Sequence, residues 1–290
     1  MFSSAIKINH SYTLPVVSSV RTAGGDVASG MGAYVTLNKE GWIMTAAHIM
    51  QDLVNFHQHK TEADDYQRKV EEINNQADWL EKKKRKEIAK LKVNRSWITK
   101  QSLWWGKDGM TVNQFAMDTA RDIAIGRLEP FDPAQVKNYP VFRNPKNKLT
   151  SGTSLCRLGF PFHELRTTFD EIKDVFDLDP TCFPIPFFPM DGILTRHIVM
   201  TPPGQQPITF IEVSTPGLRG QSGGPIFDTE GSICGLQSKT QHFPLGFDIK
   251  VKDGARETID RQYLHTGIGL DSEEIMKFLD AHKVTYDLAK

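Results

Sequence analysis

At 290 residues the chain is long enough for one large domain or two small ones around a real hydrophobic core. Its 35 basic and 35 acidic side chains cancel, which excludes a global field drawing it to nucleic acid or to a membrane surface. Three scattered cysteines, Cys156, Cys182 and Cys234, exclude a disulfide frame and a thiolate metal site, and they suit a reducing compartment. No run of about 18 apolar residues predicts a transmembrane helix. Residues 1–10 lack the charged and apolar regions of an export signal, so a cytoplasmic location is expected, with no cofactor and no metal.

In chain order, residues 11–56 read as strands and turns. Residues 30–37 alternate, 38–41 turn, and 42–45 return, which is a hairpin leading into Ala46-Ala47-His48. Residues 61–93 change character. Tyr66, Val70, Ile73, Ala77 and Leu80 recur three and four residues apart, a narrow helical seam with a starting cap at Thr61. One long helix or a helical hairpin projecting from the body is expected here. The run Lys82-Lys83-Lys84-Arg85-Lys86 is flanked by glutamates and carries no interleaved aromatics, so it reads as a solvated face rather than a nucleic-acid site.

Strand signals return at 102–105 and 122–128. Residues 129–153, rich in Pro, Asn and Lys, suit a linker. The second half opens at 154–161 and passes through a loop-rich excursion ending in Cys182-Phe183-Pro184-Ile185-Pro186-Phe187-Phe188-Pro189. That proline density excludes a helix or a central strand, and its aromatics either wall a cleft or pack down as a cover. Residues 208–213 and 231–236 are strand-like, and Asp271-Ser272-Glu273-Glu274 opens a last helix with an apolar face.

The chemistry centres on Gly220-Gln221-Ser222-Gly223-Gly224-Pro225. Glycines around a serine permit a tight turn that exposes the hydroxyl and converges backbone N–H groups, although alone this is more often a plain turn. Acyl transfer through a serine needs a base and a group to orient that base. His48 directly follows the second strand of a hairpin, which holds it rigidly, and Asp122 opens an apolar strand where a carboxylate can be half-buried yet aimed at an imidazole.

Thr45-Ala46-Ala47-His48, Asp122-Ile123-Ala124-Ile125 and the Ser222 motif, in that order, resemble the trypsin/chymotrypsin-fold serine proteases, closest to the bacterial branch of HtrA-type proteases and glutamyl endopeptidases. Leu158-Gly159-Phe160-Pro161 and Gly267-Ile268-Gly269 add to the likeness. The resemblance implies a mainly β protein of two antiparallel six-stranded barrels with an inserted helical arm and a C-terminal helix. The first, residues 1–145, would carry His48 and Asp122 and an insertion at about 58–95. The second, 146–290, would carry Ser222 and a helix at about 271–283.

The roles implied are Ser222 as nucleophile, His48 as base and Asp122 as its orienting carboxylate, with an oxyanion hole from the backbone N–H groups of Gly220 and Ser222. Ser238 would support the aspartate. Residues 214–218, including Pro216 and Gly217, and 238–240, with Lys239 and Thr240, would wall the pocket for the side chain before the scissile bond. Gln221 stands where trypsin-like zymogens have an aspartate, so no zymogen cleavage is expected. Pro216 in place of an acidic residue removes the basic-side-chain determinant. That leaves apolar or small side chains, or an acidic one drawn by Arg219.

The partners expected are a protein or peptide substrate and, through 61–93, a possible second protein; nucleic acid and membrane are not expected. Two rival readings remain. One is a protease-fold binding module without activity. The other is an α/β hydrolase using Asp248 and His265, which would need a helix after Ser222 where Pro225 and its successors read as strand.

Overall fold

The computed structural model describes residues 1–204, 206–253 and 256–290, with side chains placed for all of these except 251–253 and 256–258. A short helix α1 (Ser3–His10) opens the chain. It is followed by strands β1 (Thr13–Thr22), β2 (Val27–Thr36) and β3 (Trp42–Thr45), and then by helices α2 (Gln51–Asn74) and α3 (Glu81–Ile88). Strands β4 (Ile98–Trp104), β5 (Thr111–Asp118) and β6 (Ile123–Glu129) complete a six-stranded antiparallel sheet in the order β4-β1-β2-β3-β6-β5. The hairpin expected at 30–45 is β2 and β3, paired from Tyr34 opposite Thr45 to Thr36 opposite Ile43.

The second sheet is built from β7 (Val141–Phe142), β8 (Ser154–Gly159), β11 (Phe188–Met200), β12 (Ile208–Val213), β13 (Pro225–Phe227), β14 (Ile233–Asp253), β15 (Arg256–Asp271) and β16 (Asp287–Leu288). A small hairpin, β9 (Thr167–Asp170) and β10 (Val175–Leu178), lies between β8 and β11. Because β13 pairs with both β8 and β14, six strands close into a ring in the order β13-β8-β11-β12-β15-β14, and β7 and β16 extend it. The protein is therefore mainly β with a chymotrypsin-like pair of curled sheets. Helix α4 (Ser272–Ala281) follows β15 directly, capped as expected by the Asp271 carboxylate, which accepts from Glu273 N–H at 2.8 Å.

The sheets share one core. Tyr12, Val35, Leu37, Met44, Ile123 and Ile125 from the first half pack with Phe142, Phe210, Ile233, Leu270 and the apolar face of α4. Val141–Phe142 pairs with β14 and β16, and Phe2, just before α1, packs with Ala5 of α1 against Cys156, Leu158 and Phe227. The second sheet thus draws in residues from both sides of the first.

The arm differs from expectation at its start. Helix begins at Gln51, not near 58 or 61, and Thr61 lies inside α2 with its hydroxyl donating to His57 O, so it caps nothing. The chain can stay helical from 51 because Leu53 packs on the first sheet's core, a contact the seam beginning at Tyr66 does not contain. No residue of α2 or α3 is buried. The arm is instead pinned at β4. There Trp97 Nε1 donates to Glu62 at 2.6 Å, Ile98 N–H donates to His59 Nδ1 at 2.9 Å, and Tyr66 meets Trp97 edge-on.

The proline-rich segment packs down. Phe183 lies against Trp104 and Phe187 against His10. It passes into β11 at Phe188–Pro189, where pairing is to β8 alone and the missing proline N–H costs no ladder bond on the other side.

Candidate active site

The Ala47–Met50 turn that follows β3 presents His48, whose side chain is about half exposed. Asp122 sits just before β6 with φ +55, a left-handed conformation that aspartate tolerates better than most residues. The preceding turn is tied by Asp118, whose carboxylate accepts from Ala120 N–H, Arg121 N–H and the Arg121 guanidinium. From this position Asp122 meets His48 Nδ1 at 2.9 and 3.0 Å and accepts His48 N–H at 3.0 Å. It also accepts a short bond from the buried Ser238 hydroxyl. Burial alone would raise the Asp122 carboxyl. The hydrogen bonds and charge of His48, with the Ser238 hydroxyl, outweigh it and hold the group below the usual aspartate value.

The Ser222 loop is strapped to both sheets. Ala33 N–H on β2 donates to Ser222 O at 2.8 Å, Gly223 N–H donates to Gln237 O at 2.8 Å, and Gln237 N–H returns to Gly224 O at 2.9 Å. Two glycines are required by the geometry. Gly220 has φ +93 and a Cβ there would sit 2.4 Å from Phe160 O; Gly223 has φ +78 and its Cβ would sit 2.2 Å from Ala33 O. Among the described residues, neither Gly220 N–H nor Ser222 N–H is used in a backbone hydrogen bond, while the intervening Gln221 N–H is turned inward to Leu218 O. Gln221 is wholly buried, and its side-chain oxygen accepts Leu218 N–H at 3.0 Å. The Ser222 hydroxyl rests on Ser238 O at 3.4 Å, and among the described residues no hydrogen bond links it to His48 Nε2.

His48, Gly220 and Ser222 line one cleft of about 610 Å³ together with Met31, Ile49, Phe160, Phe162 and Leu165. Residues 183–189 are not among its lining. Arg219 lines this cleft, while Pro216, Gly217, Ser238, Lys239 and Thr240 do not. Those come together elsewhere: the Thr240 hydroxyl bridges to Gly217 O, the Gln237 amide donates to Lys239 O at 3.0 Å, and Pro216 and Gly217 are half-buried beside them. Asp248 and His265 lie on the long β14–β15 hairpin, where His265 meets His242 and not Ser222. Ser222 is followed by β13, so the helix an α/β hydrolase needs is absent from this described stretch.

Sequence reasoning passed over two residues here. Gln237 precedes Ser238, and Arg157 stands in the middle of β8, fully buried. A charged side chain inside the apolar run Leu155-Cys156-Arg157-Leu158 was the available signal.

Fold and site together define a two-sheet hydrolase of the chymotrypsin-like class. Residues 30–236 match the family described as "trypsin-like peptidase domain", and the chain belongs to that family of serine endopeptidases. No curated protein sequence matches it. Among solved structures it is similar to the active form of the Rv3671c protease of M. tuberculosis. That match has a TM-score of 0.51 and 13% identity, and it covers 98% of this chain and 86% of that one. It is also similar to the HtrA-type protease AlgW with a decapeptide, at a TM-score of 0.50 and 10% identity, covering 98% of this chain and 68% of that one. At these identities the likeness is one of fold. Among the described residues no helix is long and apolar enough to cross a membrane.

Proposed function

We propose that the protein cleaves peptide bonds through an acyl-enzyme formed on Ser222, with His48 as base and Asp122 as the group that orients it. The observation that carries this reading is the Asp122 carboxylate bound at once to His48 Nδ1, His48 N–H and Ser238, which leaves Nε2 of His48 facing the cleft that Ser222 lines. Ser222 Oγ attacks the scissile carbonyl and passes its proton to Nε2. Asp122 stabilises the imidazolium, and the same proton goes to the leaving amine. Water then enters, gives a proton to His48 as its oxygen attacks the acyl carbon, and His48 returns that proton to Ser222 Oγ as the C–Oγ bond breaks and the acid leaves. The unused N–H groups of Gly220 and Ser222 receive the oxyanion, each worth about 3 kcal/mol in the transition state.

The neutral Gln221 side chain, whose oxygen already accepts Leu218 N–H within its own loop, offers no carboxylate for a new N-terminal ammonium to pair with, so the uncleaved chain should be active. The test is burst kinetics with an activated ester alongside intact mass. A stoichiometric burst and an acyl adduct on the uncleaved chain are expected; slow turnover without a burst, or activity only after chain cleavage, contradicts the reading.

The observation favouring the rival reading, a binding module, is that Ser222 rests on Ser238 O and not on His48. A 3.4 Å contact is weak and does not hold the serine hydroxyl in place. The arm, none of whose helical residues is buried, is proposed as a surface for a protein partner or substrate. Replacing its tip should change cleavage of a folded target while ester turnover persists, and an unchanged target rate counts against it. Three buried, unpaired thiols support a reducing compartment, which cell fractionation tests.

A further inference from the structure

Bound to Thr215 and Gln237, within and beside the segments 214–218 and 238–240 expected to wall the pocket for the side chain before the scissile bond, lies a charge that nothing among the described residues neutralises. Arg157 is fully buried. Its Nη1 donates to the Gln237 side-chain oxygen at 3.1 Å, and its Nη2 donates to Thr215 O at 2.7 Å and to the Thr215 hydroxyl. All three acceptors are neutral, and among the described residues no carboxylate pairs with the guanidinium. Its Nε–H is buried without a partner. A guanidinium carries five donors, so the protein leaves part of this one unsatisfied.

Burying an unpaired cation costs several kcal/mol, and folds seldom retain one without a counter-charge. The cost is visible in the group itself, whose pKa burial pulls down to about 10.

The backbone makes room for this charge. A Cβ at Gly267 would fall 1.8 Å from Arg157 Nη1, and a Cβ at Gly217 would fall 2.3 Å from the Gln237 amide nitrogen. Two glycines from distant parts of the chain therefore keep open the space that Arg157 and Gln237 occupy. Gln237 stands between the guanidinium and the wall at Gly217, and the Thr240 hydroxyl donates to Gly217 O, joining the two walls. A side chain entering between Gly217 and Thr240 displaces that hydrogen bond and meets the Gln237 amide, whose nitrogen donates to Lys239 O at 3.0 Å and Ile268 O at 3.3 Å and must give up one of them, with Arg157 behind it.

We propose that Arg157, acting with Gln237, makes this pocket select an acidic side chain, glutamate or aspartate, immediately before the scissile bond. The proposal rests on the serine-peptidase reading above, and it departs from an apolar or small preference and from a role for Arg219, which lines the cleft beside His48 and Ser222. An incoming carboxylate supplies the missing counter-charge in a site closed to water. An amide of the same shape does not.

The test is a set of quenched peptides differing only at that position, carrying Glu, Gln, Leu or Lys, with Ser222 labelling by a fluorophosphonate measured in parallel. In the wild type, kcat/KM for Glu should exceed that for Gln by about 10-fold or more. Arg157→Met should abolish the difference, and Arg157→Lys, which keeps the charge, should retain a preference for Glu. Equal turnover of Glu and Gln peptides by a protein that labels at Ser222 overturns the pocket assignment alone. Retention of the Glu preference in Arg157→Met does the same. If Arg157→Met does not fold, the wild-type ratio and Arg157→Lys still decide. Absence of Ser222 labelling in the wild type overturns the serine-peptidase reading, and the pocket assignment falls with it.

Discussion

Asp122 is the residue on which the site's geometry turns, because one carboxylate fixes both the ring and the backbone of His48. Asp122→Asn should keep the fold and lower kcat by about 10⁴-fold, since the amide favours the wrong imidazole tautomer. Its carboxyl is held below the ordinary value of 3.8. The stability it contributes is therefore complete above that value and is lost as pH falls through the lower folded value. The difference in Tm between wild type and Asp122→Asn should shrink on acidification below about pH 4, and a difference that grows there contradicts the assignment. Gly220→Ala must move the loop away from Phe160 O, so kcat should fall by about 10²-fold with little change in KM, as steady-state kinetics will show. The spacing and order of His48, Asp122 and Ser222 were legible because the chemistry demands those residue types. Arg157 and Gln237 were not, because their placement depends on Gly217 and Gly267, remote in sequence from β8.

At the scale of elements, the arm is held by a few specific contacts, polar at Glu62 and His59 and apolar at Leu53 and Tyr66, and not by a buried face. Glu62→Ala removes the acceptor for the Trp97 indole N–H and should cost about 1 kcal/mol in urea unfolding. Exposed Glu71→Ala, farther along the same helix, should change little. Hairpin β2–β3, strand β12 and helix α4 could be read from alternation, from apolar content and from the Asp271 cap, all local signals. The start of α2 at Gln51 could not, since it depends on Leu53 reaching a core assembled from distant strands. Helix α1 and the long β14–β15 hairpin were missed for a similar reason. The first is fixed by Phe2 packing on Phe227, and the second by pairing along its length.

For the whole molecule, the site exists only where the two sheets meet. Ser222 belongs to the second sheet but hangs by its carbonyl from Ala33 of the first, and Asp122 of the first is bound by Ser238 of the second. The shared core around Phe142 makes the halves one cooperative unit. Phe142→Ala should cost about 3–5 kcal/mol and lower a single calorimetric transition; two separable transitions contradict a common core. Two-barrel architecture was legible through the order of three motifs. The closure of the second sheet through β13, and the crossing of α1 and β7 into it, were not, because each is a long-range pairing with no local pattern.

The most direct measurement is mass spectrometry of the intact, folded protein after exposure to a fluorophosphonate. The account predicts a single adduct on Ser222, lost in Ser222→Ala and strongly slowed in His48→Ala. No adduct on the folded wild type, or one that persists in Ser222→Ala, would contradict it.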